Sequence, residues 1–327
     1  MKSRKYLFLL LGAMLGLSSA ASRAHGEDCQ KSALPLISFV DFQSPNIAPA
    51  GPASFKVKGK LSLPVRFDWR KRCFIAGKNL PAVVILHGSA GVDSRGDFYA
   101  RALNAADIAT LEIDMWEARG VTSLENRPSL PILTLPDVFG ALALLSARPD
   151  IAADRIGVLG FSWGGVNSLA AADQLYVNQF GSGLLKFKAH VANYPVCYAF
   201  NNTETFPSPP FPDNAFAAGT RLETLTGAPV LIQIGTADDY DNGAQHCRDL
   251  VTYAKGQNPN TLVELAVYEG AYHAWDRIMI PVEAPDRFAD EGSFFTTLVT
   301  PTVEIKPDVE QAYASRKRVV RFFRHKL

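Results

Sequence analysis

A six-residue segment, Gly160-Phe161-Ser162-Trp163-Gly164-Gly165, follows a short apolar run and precedes a stretch rich in small residues. It matches the pattern Gly-x-Ser-x-Gly, in which a serine lies on a sharp turn between a strand and a helix. The flanking positions must be small because the backbone approaches closely on both sides of such a turn. The pattern also occurs by chance, so its weight depends on its surroundings. Here a strand candidate at 155–159 and a helix candidate at 164–177 flank it, which favours a serine nucleophile at Ser162 over an ordinary glycine-rich turn.

Segments with strand character alternate with segments of helix character along most of the chain. Apolar runs predict buried strands at 82–86, 109–113, 155–159, 188–193, 229–234 and 262–268, and helices are expected at 97–106, 135–147 and 308–326. Alternation of apolar and polar residues over 55–63 predicts a half-exposed antiparallel strand. This order predicts an α/β fold with a mainly parallel central sheet and helices on both faces. The active site of such a fold lies beyond the carboxyl ends of the strands, where Ser162 is expected.

The N-terminal residues differ in character from the rest of the chain. A basic start over residues 1–5 precedes the apolar run 6–17, and small residues follow it. This order predicts a secretory signal peptide over residues 1–24, with cleavage after Ala20 or Ala24. A short membrane anchor is the alternative, but the apolar run is too short to span a bilayer easily. We therefore expect export to the periplasm or the extracellular space, without a stable membrane anchor.

The remainder is long enough for one α/β domain with a large core. The 327 residues are 47% hydrophobic, and removal of four positive charges with residues 1–24 changes the net charge from +1 to −3. That balance gives no reason to expect nucleic acid or an anionic membrane surface as a partner. The stretch 25–54, rich in Pro, Ala and Ser, is expected to be an irregular or edge segment, and 55–327 the catalytic domain.

The chain has four cysteines, Cys29, Cys73, Cys197 and Cys247. An even number in a chain expected to be exported predicts two disulfides. Three pairings are possible, and we favour Cys197–Cys247 because both residues are expected just past the ends of sheet strands, which leaves Cys29–Cys73. Free thiols or a zinc site are the alternatives, although no two cysteines are close enough in sequence for a zinc ribbon. No metal or cofactor is expected.

A serine hydroxyl becomes a nucleophile only when a base accepts its proton and a third group orients that base. On α/β-hydrolase folds the acid and then the histidine follow the serine along the chain. Three histidines are candidates downstream of Ser162. His273 follows the strand candidate at 262–268 and is expected to be the base, whereas His190 lies inside a strand candidate and His246 in a polar stretch.

The acid and the oxyanion hole are expected at the ends of other strands. Asp238 follows the strand at 229–234 and is preferred as the acid, with Asp239 as the alternative. An oxyanion hole needs two backbone N–H groups directed at the developing negative charge. We expect them from Trp163, the residue after the nucleophile, and from Ser89, in the loop after the strand at 82–86.

Several further side chains are candidates for contacting the substrate. They are Arg119, Trp116, Trp163 and Trp275. The guanidinium of Arg119 suits a substrate carboxylate because the two groups pair in bidentate fashion, and an ion pair with Asp114 or Glu117 is the alternative. The tryptophans either line an apolar pocket or belong to the core. The proline-rich stretch 201–213 either caps the pocket or connects two elements over the surface.

Taken together, these motifs resemble those of the dienelactone hydrolase family of α/β-hydrolases. The motifs are Leu86-His87-Gly88, Asp114 to Gly120, Gly160 to Gly165, Gly235 to Asp239 and Tyr272-His273-Ala274-Trp275-Asp276. The resemblance covers roughly 55–327 and implies an α/β-hydrolase fold and hydrolysis of an ester or lactone through an acyl-enzyme. The name-giving enzymes use a cysteine nucleophile where this chain has Ser162, and the serine-bearing relatives act on varied substrates. The predicted function is that of a secreted serine hydrolase acting on a small-molecule carboxylic ester or lactone.

Two other functions are compatible with the same fold. A serine peptidase of the prolyl-oligopeptidase type has the same triad order, but such enzymes usually carry a propeller domain for which this chain is too short. A binding or scaffold protein on this fold is the other alternative, and the complete set of Ser162, Asp238 and His273 disfavours it. The sequence carries no information on the oligomeric state.

Overall fold

The computed structural model describes residues 29–201, 222 and 224–327. The signal peptide expected at 1–24, and all but the first residue of the proline-rich stretch 201–213, lie outside the described residues. Both expectations therefore stay predictions. In the part of the chain that is described, no helix combines the length and apolar character needed to cross a membrane.

Twelve strands are described, and eight of them form the central sheet. The strands are β1 (Leu36–Pro45), β2 (Ser54–Leu63), β3 (Val65–Asp68), β4 (Cys73–Ala76), β5 (Leu80–Leu86), β6 (Ala109–Asp114), β7 (Ile151–Phe161), β8 (Ala189–Asn193), β9 (Val230–Ala237), β10 (Val263–Tyr272), β11 (Val282–Pro285) and β12 (Thr302–Ile305). The order in the central sheet is β1-β2-β6-β5-β7-β8-β9-β10. The six strands from β6 to β10 pair in parallel, and β2 pairs antiparallel with both β1 and β6. The mainly parallel sheet predicted from the sequence is confirmed.

Helices in two groups cover this sheet. The helices are α1 (Ser94–Asn104), α2 (Leu135–Ser146), α3 (Trp163–Ala170), α4 (Gln174–Phe180), α5 (Tyr198–Asn201), α6 (Gln245–Gln257), α7 (Phe294–Thr297) and α8 (Val309–Lys326). The first group comprises α1 and α8, which pack on each other, and the second comprises α2 and α3. The strands between them are buried on both faces: all five residues of β8 and six of the seven residues of β5 are buried. This explains their continuous apolar runs.

The segment 25–54, expected to be irregular or to lie at an edge, contains the edge strand β1. This ten-residue strand pairs along its whole length with β2, from Leu36 opposite Leu63 to Pro45 opposite Ser54. Its residues alternate between half-buried and exposed, as an edge strand with one covered face requires. Apolar and polar residues alternate in step with burial only over 40–43, because Ile37 and Phe39 lie on the exposed face. The proline and alanine content belongs to the turn that follows.

The helix expected over 164–177 is divided into α3 and α4. The first ends at Ala170, and Asp173 begins the second, because its carboxylate accepts the backbone N–H of Leu175 at 2.8 Å and caps α4. The same carboxylate accepts the hydroxyl of Thr224 at 2.6 Å. Such a side-chain cap is worth roughly 1 kcal/mol and competes with a continuous helix.

All four cysteines of the chain are paired in the way that the sequence favours. Cys29 is bonded to Cys73 with a Cα separation of 5.5 Å, and Cys197 to Cys247 with a separation of 5.1 Å. The first bond joins the beginning of the described chain to the β3–β4 hairpin. The second joins the segment after β8 to the first turn of α6, immediately beside the loop that follows β9.

Candidate active site

The turn between β7 and α3 holds Ser162 in a conformation that few residues adopt. Its φ is 51° and its ψ is −111°, and its backbone N–H donates to the carbonyl of Asn193 at 2.9 Å. A Cβ on Gly160 would lie 1.9 Å from the carbonyl oxygen of Gly164, and one on Gly164 would lie 2.5 Å from the carbonyl oxygen of Leu86. Because neither backbone contact tolerates a side chain, both positions require glycine. Strain of about 1–3 kcal/mol at the serine is typical of a functional turn.

Three side chains from three strand ends meet at this turn. The Oγ of Ser162 lies 2.9 Å from Nε2 of His273, and Nδ1 of the same histidine lies 2.8 Å from Oδ2 of Asp238. Ser162 follows β7, Asp238 follows β9 and His273 follows β10. All three are buried, with exposed fractions of 6%, 1% and 2% respectively. The arrangement lets the histidine take the serine proton while the carboxylate holds the imidazole in the required orientation.

The geometry distinguishes Asp238 from its neighbour Asp239. The second oxygen of Asp238 accepts the backbone N–H of Tyr240 at 2.9 Å, which fixes the carboxylate toward His273. Asp239 points the other way and accepts the backbone N–H of Glu304, in β12, at 2.6 Å. Because the carboxylate of Asp239 is bonded to the backbone of β12, only that of Asp238 reaches the imidazole.

The backbone N–H groups of Trp163 and Ser89 flank the nucleophile. Both residues line cavities that contain Ser162. No acceptor among the described residues takes either N–H, whereas the carbonyl of Ser89 accepts the indole N–H of Trp116 at 3.0 Å. The N–H of Gly164 donates to the carbonyl of His87 at 3.1 Å and joins the serine turn to the loop after β5. Two donors that remain available beside a nucleophile are suited to an oxyanion.

The buried imidazole of His87 organises this loop. Its Nε2 accepts the backbone N–H of Met115 at 2.9 Å, and its Nδ1–H donates to the carbonyl of Gly88 at 2.7 Å. Burial lowers the pKa of His87 to about 4, which keeps the ring neutral. His87 and Gly88 belong to the loop that the sequence predicts to supply part of the oxyanion hole, but the anchoring of this loop to the end of β6 was not predicted.

The two other histidines downstream of the serine lie outside the site. His190 is in β8, and its Nδ1 is bonded to the carbonyl of Ser168 at 2.9 Å. Burial lowers the pKa of His190 to about 4, as expected for a neutral core histidine. His246 lies in α6, where its Nε2 is 3.1 Å from a carboxylate oxygen of Glu291.

The expectation that Arg119 binds a substrate carboxylate is wrong. Its guanidinium forms a bidentate pair with Asp137, at 2.6 and 3.1 Å, and lies over the ring of Phe55 at 4.2 Å. Neither Asp114 nor Glu117 is its partner. Asp137 is fully buried at the start of α2, where an unpaired carboxylate would be costly, so the guanidinium is committed to it.

The three candidate tryptophans have different positions. Trp116 lines the cavity above the nucleophile, and Trp163 lines a small apolar cavity on the other side. Trp275 does not reach either cavity, which corrects the expectation that it contacts substrate. It is fully buried between Tyr194 and Tyr268, with ring centroids 5.0 Å from each.

The cavity above Ser162 has a volume of about 250 Å³. One wall is built by β11 and β12, whose pairs Val282 with Ile305 and Ala284 with Val303 lie directly opposite each other and line the cavity. A second, apolar cavity of about 30 Å³ adjoins the serine below Trp163. Both cavities reach Ser162.

Arg277, four residues after His273, also lines the larger cavity. Its Nε lies 3.0 Å from Oδ2 of Asp93, and its terminal nitrogens donate to no acceptor in the described part of the chain. The neighbouring Arg95 differs, because its guanidinium is already bound to Asp93 and to the hydroxyl of Tyr194 at 3.2 Å. Arg277 was not among the residues predicted from the sequence to contact the substrate.

A second buried network links the histidine to the β11–β12 hairpin. The ring of Tyr240 lies 4.1 Å from the ring of His273, and its hydroxyl donates to Asp286 at 2.8 Å. Asp286 forms a bidentate pair with Arg127, at 2.5 and 2.8 Å. Burial alone would raise the pKa of Asp286, but the hydrogen bonds and charge of Arg127 hold it below its usual value. The ion pair therefore stays charged beside the cavity.

Asp276 joins the histidine loop to the serine turn. This buried carboxylate accepts hydrogen bonds from the hydroxyl of Tyr99 at 2.7 Å, from the amide of Asn193 at 3.2 Å and from the hydroxyl of Tyr194. Burial raises the pKa of Asp276. Because the carbonyl of Asn193 accepts the N–H of Ser162, both ends of the Ser–His pair are fixed to one polar cluster.

One group of described residues has the spacing of metal ligands. It consists of Cys197, Asp241 and Cys247. The two sulfur atoms are bonded to each other, so neither is available as a thiolate ligand.

Comparisons with known proteins agree with this architecture. No protein-family model matches the chain. A curated relative from a Bradyrhizobium species, named "Probable 2-oxo-3-(5-oxofuran-2-ylidene)propanoate lactonase", is 27% identical over 221 residues, which is 64% of this chain and 79% of the relative.

Solved structures show the same fold at low sequence identity. A hyperthermophilic esterase from Pyrobaculum calidifontis is 14% identical, with a TM-score of 0.57, over 89% of this chain and 83% of its own. A dienelactone hydrolase-like promiscuous phosphotriesterase from metagenomic libraries is 15% identical, with a TM-score of 0.51, over 89% of this chain and 98% of its own. The chain therefore has the α/β-hydrolase fold and resembles the dienelactone hydrolases and esterases that share it.

Proposed function

We propose that the protein is an exported serine hydrolase that cleaves a carboxylic ester or lactone through an acyl-enzyme intermediate. The observation that carries this proposal is the continuous chain of hydrogen bonds from Ser162 through His273 to Asp238 at the floor of a cavity. The fold and the lactonase name of the curated relative support the same reaction class.

The reaction follows from the positions of these groups. The Oγ of Ser162 attacks the carbonyl carbon as its proton passes to Nε2 of His273, and Asp238 stabilises the imidazolium that forms. The negative charge on the carbonyl oxygen is received by the N–H groups of Trp163 and Ser89. When the intermediate collapses, His273 donates the proton to the departing alkoxide. In a lactone that alcohol stays tethered to the acyl group until water, activated by the same imidazole, releases the hydroxy acid.

Hydrolysis of 4-nitrophenyl butyrate tests the assignment of the nucleophile. Ser162→Ala is expected to lower kcat by at least about a thousandfold, because a triad acts as a unit. Ser89→Ala is the matched control: it removes a hydroxyl from the same cavity but keeps the backbone N–H, so we expect activity within about threefold of the wild type. Equal turnover by wild type and Ser162→Ala would exclude the proposed nucleophile.

We also propose that the preferred substrate carries a carboxylate, which Arg277 binds. The supporting observation is a guanidinium at the cavity wall whose terminal nitrogens have no acceptor among the described residues. The relative's name also describes a carboxylate-bearing lactone. Arg277→Gln is expected to raise KM about tenfold or more for 4-nitrophenyl succinate and to leave KM for neutral 4-nitrophenyl butyrate nearly unchanged. An equal change for both esters would remove the proposed carboxylate contact.

Export is the third part of the proposal. It is supported by the basic and apolar N-terminal sequence and by two disulfides, which persist in oxidising compartments. N-terminal sequencing of the protein recovered from the periplasm of an expression host is expected to begin after Ala20 or Ala24. A product that keeps Met1 and stays in the cytoplasm would contradict export.

A further inference from the structure

The β3–β4 hairpin presents an exposed indole at its turn. Trp69 is 83% exposed, and its ring lies edge-on to Phe67 with centroids 4.7 Å apart. Phe67 packs in turn on Phe74 at 5.1 Å. The carboxylate of Asp68 accepts the backbone N–H of Arg70 at 2.8 Å and so holds the turn in shape. The indole is therefore supported from below by an aromatic stack and directed outward.

Basic side chains surround this indole. The turn itself continues as Arg70-Lys71-Arg72, and all three residues are exposed. A groove of about 480 Å³ runs from the base of the hairpin and is lined by four more basic residues, which are Arg66, Lys78, Arg155 and Arg324. Asp107 is the acidic side chain in that groove, and it pairs with Arg66 at 3.1 Å. The face is basic, although Asp68 lies within it and the net charge of the chain is +1 with residues 1–24 and −3 without them.

This hairpin face, defined as residues 66–72 with Lys78, Arg155 and Arg324, lies at the end of the sheet opposite the active site. The groove contains the residues that begin β5 and precede β6, whereas Ser162 follows the far end of β7. Six residues of extended strand between Arg155 and Phe161 separate the two ends by about 20 Å. A surface bound to this face would therefore leave the cavity open to solvent.

The beginning of the described chain is held at the same face. Cys29 is bonded to Cys73 at the end of the hairpin turn, and Gln30 exchanges two backbone hydrogen bonds with Phe74, at 2.9 and 3.0 Å. The apolar run 6–17 therefore precedes this face by few residues along the chain.

We propose that the hairpin face is a peripheral docking surface for an anionic phospholipid bilayer. Indole rings favour the interfacial region of a bilayer, where the ring is buried and its N–H stays hydrated. Lysine and arginine side chains near such a surface are attracted by anionic headgroups. The combination of one exposed indole with a basic turn and a basic groove meets both requirements. The contact is independent of the chemistry at Ser162.

Vesicle sedimentation tests this docking. The purified exported chain is mixed with vesicles of phosphatidylglycerol and phosphatidylcholine, and separately with phosphatidylcholine alone. We expect binding to the anionic vesicles, at least tenfold weaker binding to the neutral ones, and release at high salt.

Brominated lipid should quench part of the tryptophan fluorescence, and Trp69→Phe should abolish that quenching because Trp116, Trp163 and Trp275 are at most 5% exposed.

Two variants separate this face from the rest of the surface. Arg70→Ser/Arg72→Ser is expected to lower partitioning onto anionic vesicles roughly twentyfold. Arg248→Ser/Lys255→Ser removes the same charge from α6 and is expected to bind as the wild type does. Hydrolysis of 4-nitrophenyl butyrate by both variants should match the wild type, which shows that each is folded.

Three results would overturn the proposal. The first is the absence of wild-type binding to anionic vesicles. The second is an equal loss of binding in the hairpin and α6 variants, which would indicate a general charge effect. The third is binding to heparin or DNA without binding to vesicles, which would assign the basic face to a different polyanion.

Discussion

Asp238 and Asp239 are chemically identical neighbours with different tasks. One carboxylate is bonded to His273 at 2.8 Å, and the other holds the backbone of Glu304 at 2.6 Å. The sequence could rank the two by distance from the strand end but could not decide between them, because that choice depends on which way a loop residue projects. The fold around the loop decides it.

A pair of isosteric variants distinguishes these tasks. Asp238→Asn is expected to lower kcat by about a thousandfold to ten-thousandfold, because an amide favours the wrong histidine tautomer. Asp239→Asn keeps an acceptor for the Glu304 N–H and is expected to retain kcat within about fivefold. Steady-state kinetics with 4-nitrophenyl butyrate measures both. A larger loss in Asp239→Asn than in Asp238→Asn would reverse the assignment.

Arg119 shows where inference from single residues fails. Its partner Asp137 is 18 residues away, across two loops, and nothing in the local sequence indicates that this carboxylate is buried. Arg277 was not predicted because it belongs to no recognised motif, although it lies only four residues after His273. Charge pairing between distant segments is a property of the folded chain and was not predictable from either segment.

At the scale of elements, the ends of the central strands were predictable from the sequence, whereas the separate β11–β12 hairpin was not. Apolar runs located the six strands from β5 to β10, and therefore the three loops that carry Ser162, Asp238 and His273. The β11–β12 hairpin has only four residues in each strand, too few for a periodic pattern to stand out. Yet this hairpin builds a wall of the cavity, so the shape of the substrate site was the part that the sequence could not supply.

The β11–β12 hairpin makes a testable contribution to specificity. Ala284→Phe fills part of the larger cavity and is expected to lower kcat/KM at least tenfold for a 4-nitrophenyl ester of a long acyl chain, relative to 4-nitrophenyl acetate. Glu283→Phe changes the neighbouring residue, which is exposed and points to the opposite face. This variant should leave the ratio of kcat/KM for the long-chain ester to kcat/KM for the acetate unchanged. An unchanged ratio in Ala284→Phe would mean that the acyl chain does not contact this wall.

At the scale of the whole molecule, two disulfides join segments that are 44 and 50 residues apart in the sequence. Removing either bond is expected to lower the free energy of unfolding by roughly 3–4 kcal/mol, since each closes a loop of similar length. Cys197→Ser/Cys247→Ser should also lower kcat, because Asp241, beside that bond, accepts the N–H groups of Cys197 and Tyr198 next to the acid loop. Cys29→Ser/Cys73→Ser should keep kcat. Thermal unfolding and ester hydrolysis of the two variants provide the comparison.

Acid should destabilise the folded chain through its buried histidines. The pKa of His190 is lowered to about 4 by burial, whereas the unfolded value is about 6.5. The neutral folded form therefore contributes stability that is complete above pH 6.5 and is lost as the pH falls toward 4. His190→Asn keeps a donor for Ser168 and should reduce the loss of unfolding free energy between pH 7 and 4.5 by on the order of 2 kcal/mol. The free energy of unfolding of both proteins is measured by urea unfolding at several pH values. An equal loss between pH 7 and 4.5 in the two proteins would contradict this prediction.

The central claim, a serine nucleophile at position 162 activated by His273 and Asp238, is tested most directly by locating a covalent adduct. The protein is incubated with a fluorophosphonate, digested and analysed by mass spectrometry. We predict one adduct per chain on the peptide that contains Ser162, none in Ser162→Ala, and much slower labelling in Asp238→Asn. An adduct on any other residue, or ester hydrolysis that continues undiminished after Ser162 is replaced, would contradict the account.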